Sequence, residues 1–370
     1  MADESDTRKT GATIAIIVIA LLAVAYTLYF ARSFLVPIAF AILLDFLFSP
    51  LVRGMQKLHI PLSASAALIV VGLIAIAVLG SYTLSGPAQN MLRDAPATIA
   101  RVQGELGTVF RPLTEVTTTA SKAAKEVGVL SDSTSPAEVT VVGPSVASKL
   151  AGTAQRMLAG WFQVAFLLFF LLAGGDLFLE KTIRVIPLLH DKKKAVRIAR
   201  DVESAVSVYL IANLGINLMA GVMVGAAMWM LDMPNPIVWG VLTVALEFIP
   251  FVGPLVMMGL LAVSAVGVYD SFGRILLVPG AYFAVNLIQG NIVTTLVLGR
   301  RLALNSVALF VGLAFWFWVW GIAGAFIGVP LMSIIKICCD HIEALHWIGE
   351  FLGARDEPTR ASSIPEASTA

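Results

Sequence analysis

The chain has 370 residues, 58% of them hydrophobic and only 13% charged, against about 25% charged in soluble domains, and its mean hydropathy is +0.88. That composition excludes a water-soluble globular protein, and a net charge of +1 gives no global field for nucleic acid. The two cysteines, Cys338 and Cys339, are adjacent, so no disulfide framework exists; they read as small apolar residues at a helix end.

Arg8 and Lys9 precede a first apolar run, Gly11–Phe30, which is longer than a signal-peptide core and has no A-x-A-like cleavage site after it. It reads as a retained span starting in the cytoplasm. Phe34–Val52 returns, placing Arg53, Lys57 and His59 on the cytoplasmic side, and Pro61 opens a third span, Leu62–Leu84. From Gly86 to about Lys149 charged, Thr, Ser and Gly residues replace the apolar runs. Apolar residues at Ile99, Val102, Leu106 and Val109 keep helical spacing, which predicts a small extracytoplasmic helical insert.

Met157–Gly174 comes back inward and meets the densest positive cluster, with Lys181, Arg184, Lys192, Lys193, Lys194, Arg197 and Arg200. That cluster orients the chain with this loop in the cytoplasm, and it could also attract anionic headgroups. Lys192–Val208 reads as an interfacial helix feeding a span over Tyr209–Leu231. Within that span Asn217, Gly221 and Gly225 stand four residues apart and permit close helix packing.

The last third holds three long apolar segments, Pro236–Tyr269, Gly273–Leu298 and Asn305–Ile337. Each is interrupted near its middle: at Glu247–Pro254, at Gln289-Gly290-Asn291, and at Gly321–Gly324. Simple counting gives eight crossings with both termini inside, but leaves Arg300 and Arg301 outside, against the positive-inside trend. A re-entrant hairpin in one of these segments would resolve the conflict. The aromatic run Phe315–Trp320 falls at mid-segment if the chain passes straight through, which also favours a break there.

The Glu247 interruption organises the rest. An acidic residue at the middle of an apolar run is unfavourable by about 2.5–3.5 kcal/mol on insertion scales. Pro250 and Pro254 each remove an amide donor, and Gly253 relaxes the backbone between them. Non-helical backbone at membrane depth survives only inside protein or beside a watery cavity. Glu247 is therefore either a proton-exchanging group in a transport pathway or a structural carboxylate bonded to amides that the break frees. Asp45 is the second intramembrane acid, lining the same cavity or paired with a base. Asn213, Asn217, Asn286, Gln289 and Asn291 offer uncharged hydrogen-bond partners to a polyhydroxylated solute; helix packing leads for Asn213 and Asn217, the pathway for Gln289-Gly290-Asn291. There is no G-x-x-x-x-G-K-[ST] phosphate loop, no H-E-x-x-H and no metal constellation among His59, His190, His341 and His346, so neither ATP-driven transport nor enzyme chemistry is expected.

Three stretches resemble the AI-2E family of transporters, named for autoinducer-2 export: Leu246–Pro254, Gln289-Gly290-Asn291-Ile292 through Gly299, and Gly324–Leu331 followed by Lys336. The resemblance covers nearly the whole chain, including Pro37 and Ser49-Pro50 in the second span. One departure stands out: Thr294-Thr295 occupy the place where the family often carries an acid-proline pair. The resemblance implies export of small signalling or metabolic solutes, sodium-proton antiport in some members, and an oligomeric membrane assembly.

The expected architecture is thus all-α and polytopic, with about eight transmembrane segments, broken or re-entrant helices in the C-terminal half, and the extracytoplasmic insert. Along the chain it divides into N-terminal spans (1–85), the insert (86–150), a span with basic loop and interfacial helix (151–206), a C-terminal transmembrane core (207–340) and a cytoplasmic tail (341–370). The expected function is a permease of a small polar solute in the inner membrane, driven by a proton or sodium gradient, with no cofactor, no metal and no nucleic-acid partner. Its pathway would comprise Glu247, Pro250, Gly253, Pro254, Asn286, Gln289, Gly290 and Asn291, with Asp45 and Asn213. The rivals are a cation-proton antiporter and a non-transporting scaffold that recruits partners through the insert.

Overall fold

The computed structural model describes residues 2–83, 146–177, 189–290 and 305–353, with isolated positions 85, 86, 89, 93, 180, 181 and 184. Most of the expected insert, and Arg300 and Arg301, lie outside the described residues. Among the described residues every extended element is a helix: α1 (Ala2–Phe30), α2 (Arg32–Lys57), α3 (Leu62–Thr83), α4 (Val146–Gly174), α5 (Leu189–Met230), α6 (Pro236–Leu246), α7 (Val252–Val268), α8 (Phe272–Ile288), α9 (Ser306–Trp320), α10 (Ile322–His341) and α11 (His346–Leu352). Four stretches, Arg32–Lys57, Leu62–Thr83, Lys192–Met230 and Ile322–His341, are each long and apolar enough to cross a bilayer. Large apolar side chains face outward along α1 and α3, with Leu22 64% and Ile76 72% exposed. That is the surface of a polytopic membrane protein, in which lipid covers what water would penalise.

One expectation needs correction. The predicted interfacial helix over 192–208 and the span after it are a single helix, α5, of 42 residues and so about 63 Å long. Charge thins out sharply near Val208, but no proline or glycine stands between Asp201 and Tyr209. Hydropathy changes there while the backbone has no reason to stop.

The chain forms two compact units, one comprising Met1–Gly72, Gln163–Asn213 and Thr295–Ala370, the other Leu73–Phe162 and Leu214–Thr294. The first unit is built around the α9–α10 hairpin. Trp316 and Val319 of α9 pack with Ile327 of α10, Leu43 of α2 and Val206 of α5. The aromatic run ends α9 at the Gly321 corner (φ +64°) instead of lying midway along a straight crossing. It also divides by face, with Trp316 and Trp320 buried while Phe317 and Trp318 face outward. The Trp320 indole Nε1 donates to the Leu28 carbonyl at 2.9 Å, fixing the end of α1 to the hairpin. Trp320→Phe keeps most of the ring but strands that carbonyl, so we expect a loss of about 1 kcal/mol, read as a lower thermal midpoint of the purified protein.

In the second unit α6, α7 and α8 fold back on one another around the end of α5. Trp239 of α6, Met257 and Leu261 of α7, Val278 of α8 and Met228 of α5 form its core. Gly221 and Gly240 let α5 and α6 touch backbone to backbone: a Cβ on Gly221 would stand 2.7 Å from the Gly240 carbonyl oxygen. This is the close packing expected from the small-residue spacing in that helix.

Candidate functional site

The second unit is shaped by the corner between α6 and α7. Glu247 ends α6, its amide donating to the Thr243 carbonyl at 3.0 Å, and α7 starts at Val252. In between, the Val252 amide donates to the Pro250 carbonyl at 2.7 Å, closing a γ-turn around Phe251 (φ +65°, ψ −49°), a form rare for bulky residues. Pro250 has no amide to continue α6, so the chain reverses instead of propagating.

Gly253 makes that reversal possible. A Cβ there would lie 1.9 Å from the Leu246 carbonyl oxygen, so only glycine lets the first turn of α7 sit on the last turn of α6. The α9–α10 corner in the other unit uses the same device, a Cβ on Gly324 falling 1.9 Å from the Trp316 carbonyl oxygen. Two of the three interruptions expected in the apolar segments are therefore tight helical hairpins. The third begins where α8 ends, with Gln289 and Gly290 in a π-type turn; Asn291 lies outside the described residues.

The corner delivers Glu247 to α8. Tyr282, Asn286 and Gln289 follow one another at i, i+4 and i+7 and so share one face of that helix. The Tyr282 hydroxyl donates to Glu247 Oε1 at 3.1 Å, and Asn286 Nδ2 donates to the same oxygen at 3.2 Å. Gln289 also reaches this carboxyl with its side chain, and its Nε2 lies 3.5 Å from Asn217 Oδ1 of α5. Glu247 and Gln289 are 8% exposed, Asn217 1% and Tyr282 0%. The Asn217 amide nitrogen Nδ2, buried in this cluster, has no hydrogen-bond partner among the described residues. No Lys, Arg or His forms an ion pair with Glu247 among the described residues. The arrangement is a buried polar centre holding one carboxyl on neutral donors.

The sequence-predicted residues divide accordingly. Glu247, Asn286 and Gln289 come together, with Gly253 buried and Pro250 and Pro254 half-buried at the corner beside them. Gly290 is exposed, with nothing among the described residues within 4 Å of where a Cβ would stand. Asp45 and Asn213 belong to the other unit. Tyr282 was not anticipated, although its spacing from Asn286 and Gln289 marks a polar stripe on an otherwise apolar helix. Among the described residues no group of three or more His, Cys, Asp and Glu is placed to hold a metal ion.

Comparison with known proteins converges on transport. The chain is 27% identical over 320 residues to the AI-2 transport protein TqsA of Escherichia coli (strain K12), covering 84% of this chain and 87% of that one. It is 25% identical to YrrI of Bacillus subtilis (strain 168) across 52% of this chain and 56% of that one, and 24% identical to MT0215 of Mycobacterium tuberculosis (strain CDC 1551 / Oshkosh) across 89% of each. Residues 16–344 match the AI-2E family transporter model, both hairpins and so the Glu247 corner among them, and the chain belongs to that family.

Proposed function

We propose that the protein is a permease for a small, hydroxyl-bearing polar solute, whose pathway runs past Glu247, Tyr282, Asn286, Gln289 and Asn217. The observation that carries this reading is the buried Asn217 Nδ2, a donor without a partner among the described residues, in the same cluster as a carboxyl whose partners there are neutral groups. A hydroxyl answers both needs, accepting from the amide and donating to the carboxyl. Pro250, Gly253 and Pro254 shape the corner that presents Glu247, and Gly290 and Asn291 continue the pathway beyond α8. The name of TqsA, an AI-2 transport protein, supports a small signalling or metabolic solute as cargo. Movement of a broken hairpin against its neighbours would supply alternating access, driven by an ion gradient. The proposal places the protein in the inner membrane, both termini in the cytoplasm, as a homo-oligomer.

That no cationic side chain pairs with Glu247 among the described residues favours a second reading, exchange of a cation for protons at the same carboxyl. One assay separates the two. Vesicles containing only this protein are given radiolabelled polyols and sugars, with and without a pH gradient, and in parallel a sodium gradient with an internal pH dye. Saturable solute flux that a pH gradient accelerates is the expected result. Proton movement driven by sodium, with every solute at the rate of empty vesicles, establishes the antiporter in its place.

A further inference from the structure

We propose that the first unit carries a second binding site, a cleft lined by Asp45 that takes a small organic cation. The cleft measures about 690 Å³, opens to the outside, and is lined by α2, the end of α4, the first half of α5 and α10. A cleft of this size falls in the range of small-molecule sites. One face of α2 is given over to it: Ile42, Asp45, Phe46, Ser49 and Arg53 stand at helical spacing along its wall.

The charges around the cleft do not balance. Arg53 Nη2 pairs with Glu203 Oε1 at 2.7 Å. Arg200 Nη2 pairs with Asp176 Oδ2 at 3.0 Å, and its Nη1 lies 3.6 Å from Glu203 Oε2. Both arginines are thus taken by Glu203 and Asp176. Asp45 has neither a hydrogen bond nor an ion pair among the described residues, and it stands at the fourteenth of the 26 positions of α2, midway along a candidate span. Glu180 adds another acid to the lining, whose single base among the described residues is the occupied Arg53. A carboxyl at that depth, with no direct ion pair among the described residues and its nearest base, Arg53, already engaged by Glu203, suits something that arrives with positive charge.

The walls say what kind of cation. Leu62, Leu171, Leu172 and Ile334 face the same space, and a bare or hydrated metal ion would leave them uncovered. An ammonium group on a compact hydrocarbon body would place a charge-assisted hydrogen bond on Asp45 and its apolar part against the leucines. The site shares no residue with the Glu247 cluster and stands whether or not that pathway carries a solute.

The test is calorimetric titration of the purified full chain in lipid nanodiscs, with empty nanodiscs subtracted. Cyclohexylammonium is the probe and cyclohexanol its neutral counterpart. Saturable binding of cyclohexylammonium at least tenfold tighter than of cyclohexanol is expected. Asp45→Asn should weaken it at least tenfold, while Asp232→Asn, which removes an acid in the turn after α5, should not. Equal affinities for the two probes, no saturable binding, or undiminished binding by a folded Asp45→Asn protein would each overturn the proposal. The comparison of probes uses the wild type alone and decides the matter even if the variant fails to fold.

Discussion

Gly253→Ala will abolish the native membrane domain, whereas Gly290→Ala will leave it intact. The two glycines stand in adjacent family motifs, and the difference between them is steric. A methyl group on Gly253 would sit 1.9 Å from the Leu246 carbonyl oxygen and 2.6 Å from its carbon. Those are backbone atoms of the last turn of α6, hydrogen-bonded to the Ile249 amide at 2.9 Å, so no rotamer change relieves the clash. Overpacking in a fitted core costs about 1–3 kcal/mol when side chains yield, and more when they cannot. Here relief requires opening the corner, and opening it carries Glu247 away from Tyr282 and Asn286. A Cβ on Gly290 meets nothing within 4 Å among the described residues. Thermal denaturation of the two variants in detergent checks this, with a cooperative transition kept by Gly290→Ala and lost by Gly253→Ala. A wild-type transition in Gly253→Ala would mean that the two helices are not seated on each other at this point.

What could be read from the residues alone follows the same steric logic. Proline and glycine announce backbone events, so the corners at Glu247–Pro254 and Gly321–Gly324 were visible as interruptions of apolar runs. The continuity of α5 was not, because the eye follows charge while a helix follows its hydrogen bonds, and nothing breaks them between Asp201 and Tyr209. The candidate site was half visible. An acid and three amides at membrane depth stand out in any composition. Tyr282 does not, since a tyrosine among apolar residues reads as packing; its role depends on meeting Glu247, 35 positions away, which only the fold decides. Nor does local pattern show that Asp45 and Glu247 belong to different units, a separation fixed by how distant segments of chain associate.

Glu247→Gln should cut gradient-driven flux at least tenfold while leaving the fold undisturbed. The substitution is nearly isosteric, and a glutamine carbonyl can still accept from the Tyr282 hydroxyl and from Asn286 Nδ2, at present 3.1 and 3.2 Å from Oε1. Insertion into the membrane should not suffer, since a neutral amide is less costly than an ionised carboxylate to take out of water. What glutamine cannot do is gain and release a proton, or carry the negative charge on which a cation would settle. A loss of about tenfold corresponds to about 1.4 kcal/mol in the rate-limiting barrier. Tyr282→Phe supplies the complementary test, since it removes one neutral donor and leaves the titrating group, so its flux should fall less and keep its dependence on the pH gradient. In Glu247→Gln that dependence should vanish. If Glu247→Gln moves solute at the wild-type rate and answers a pH gradient as the wild type does, then this carboxylate only braces α6 against α8, and the coupling proton travels elsewhere.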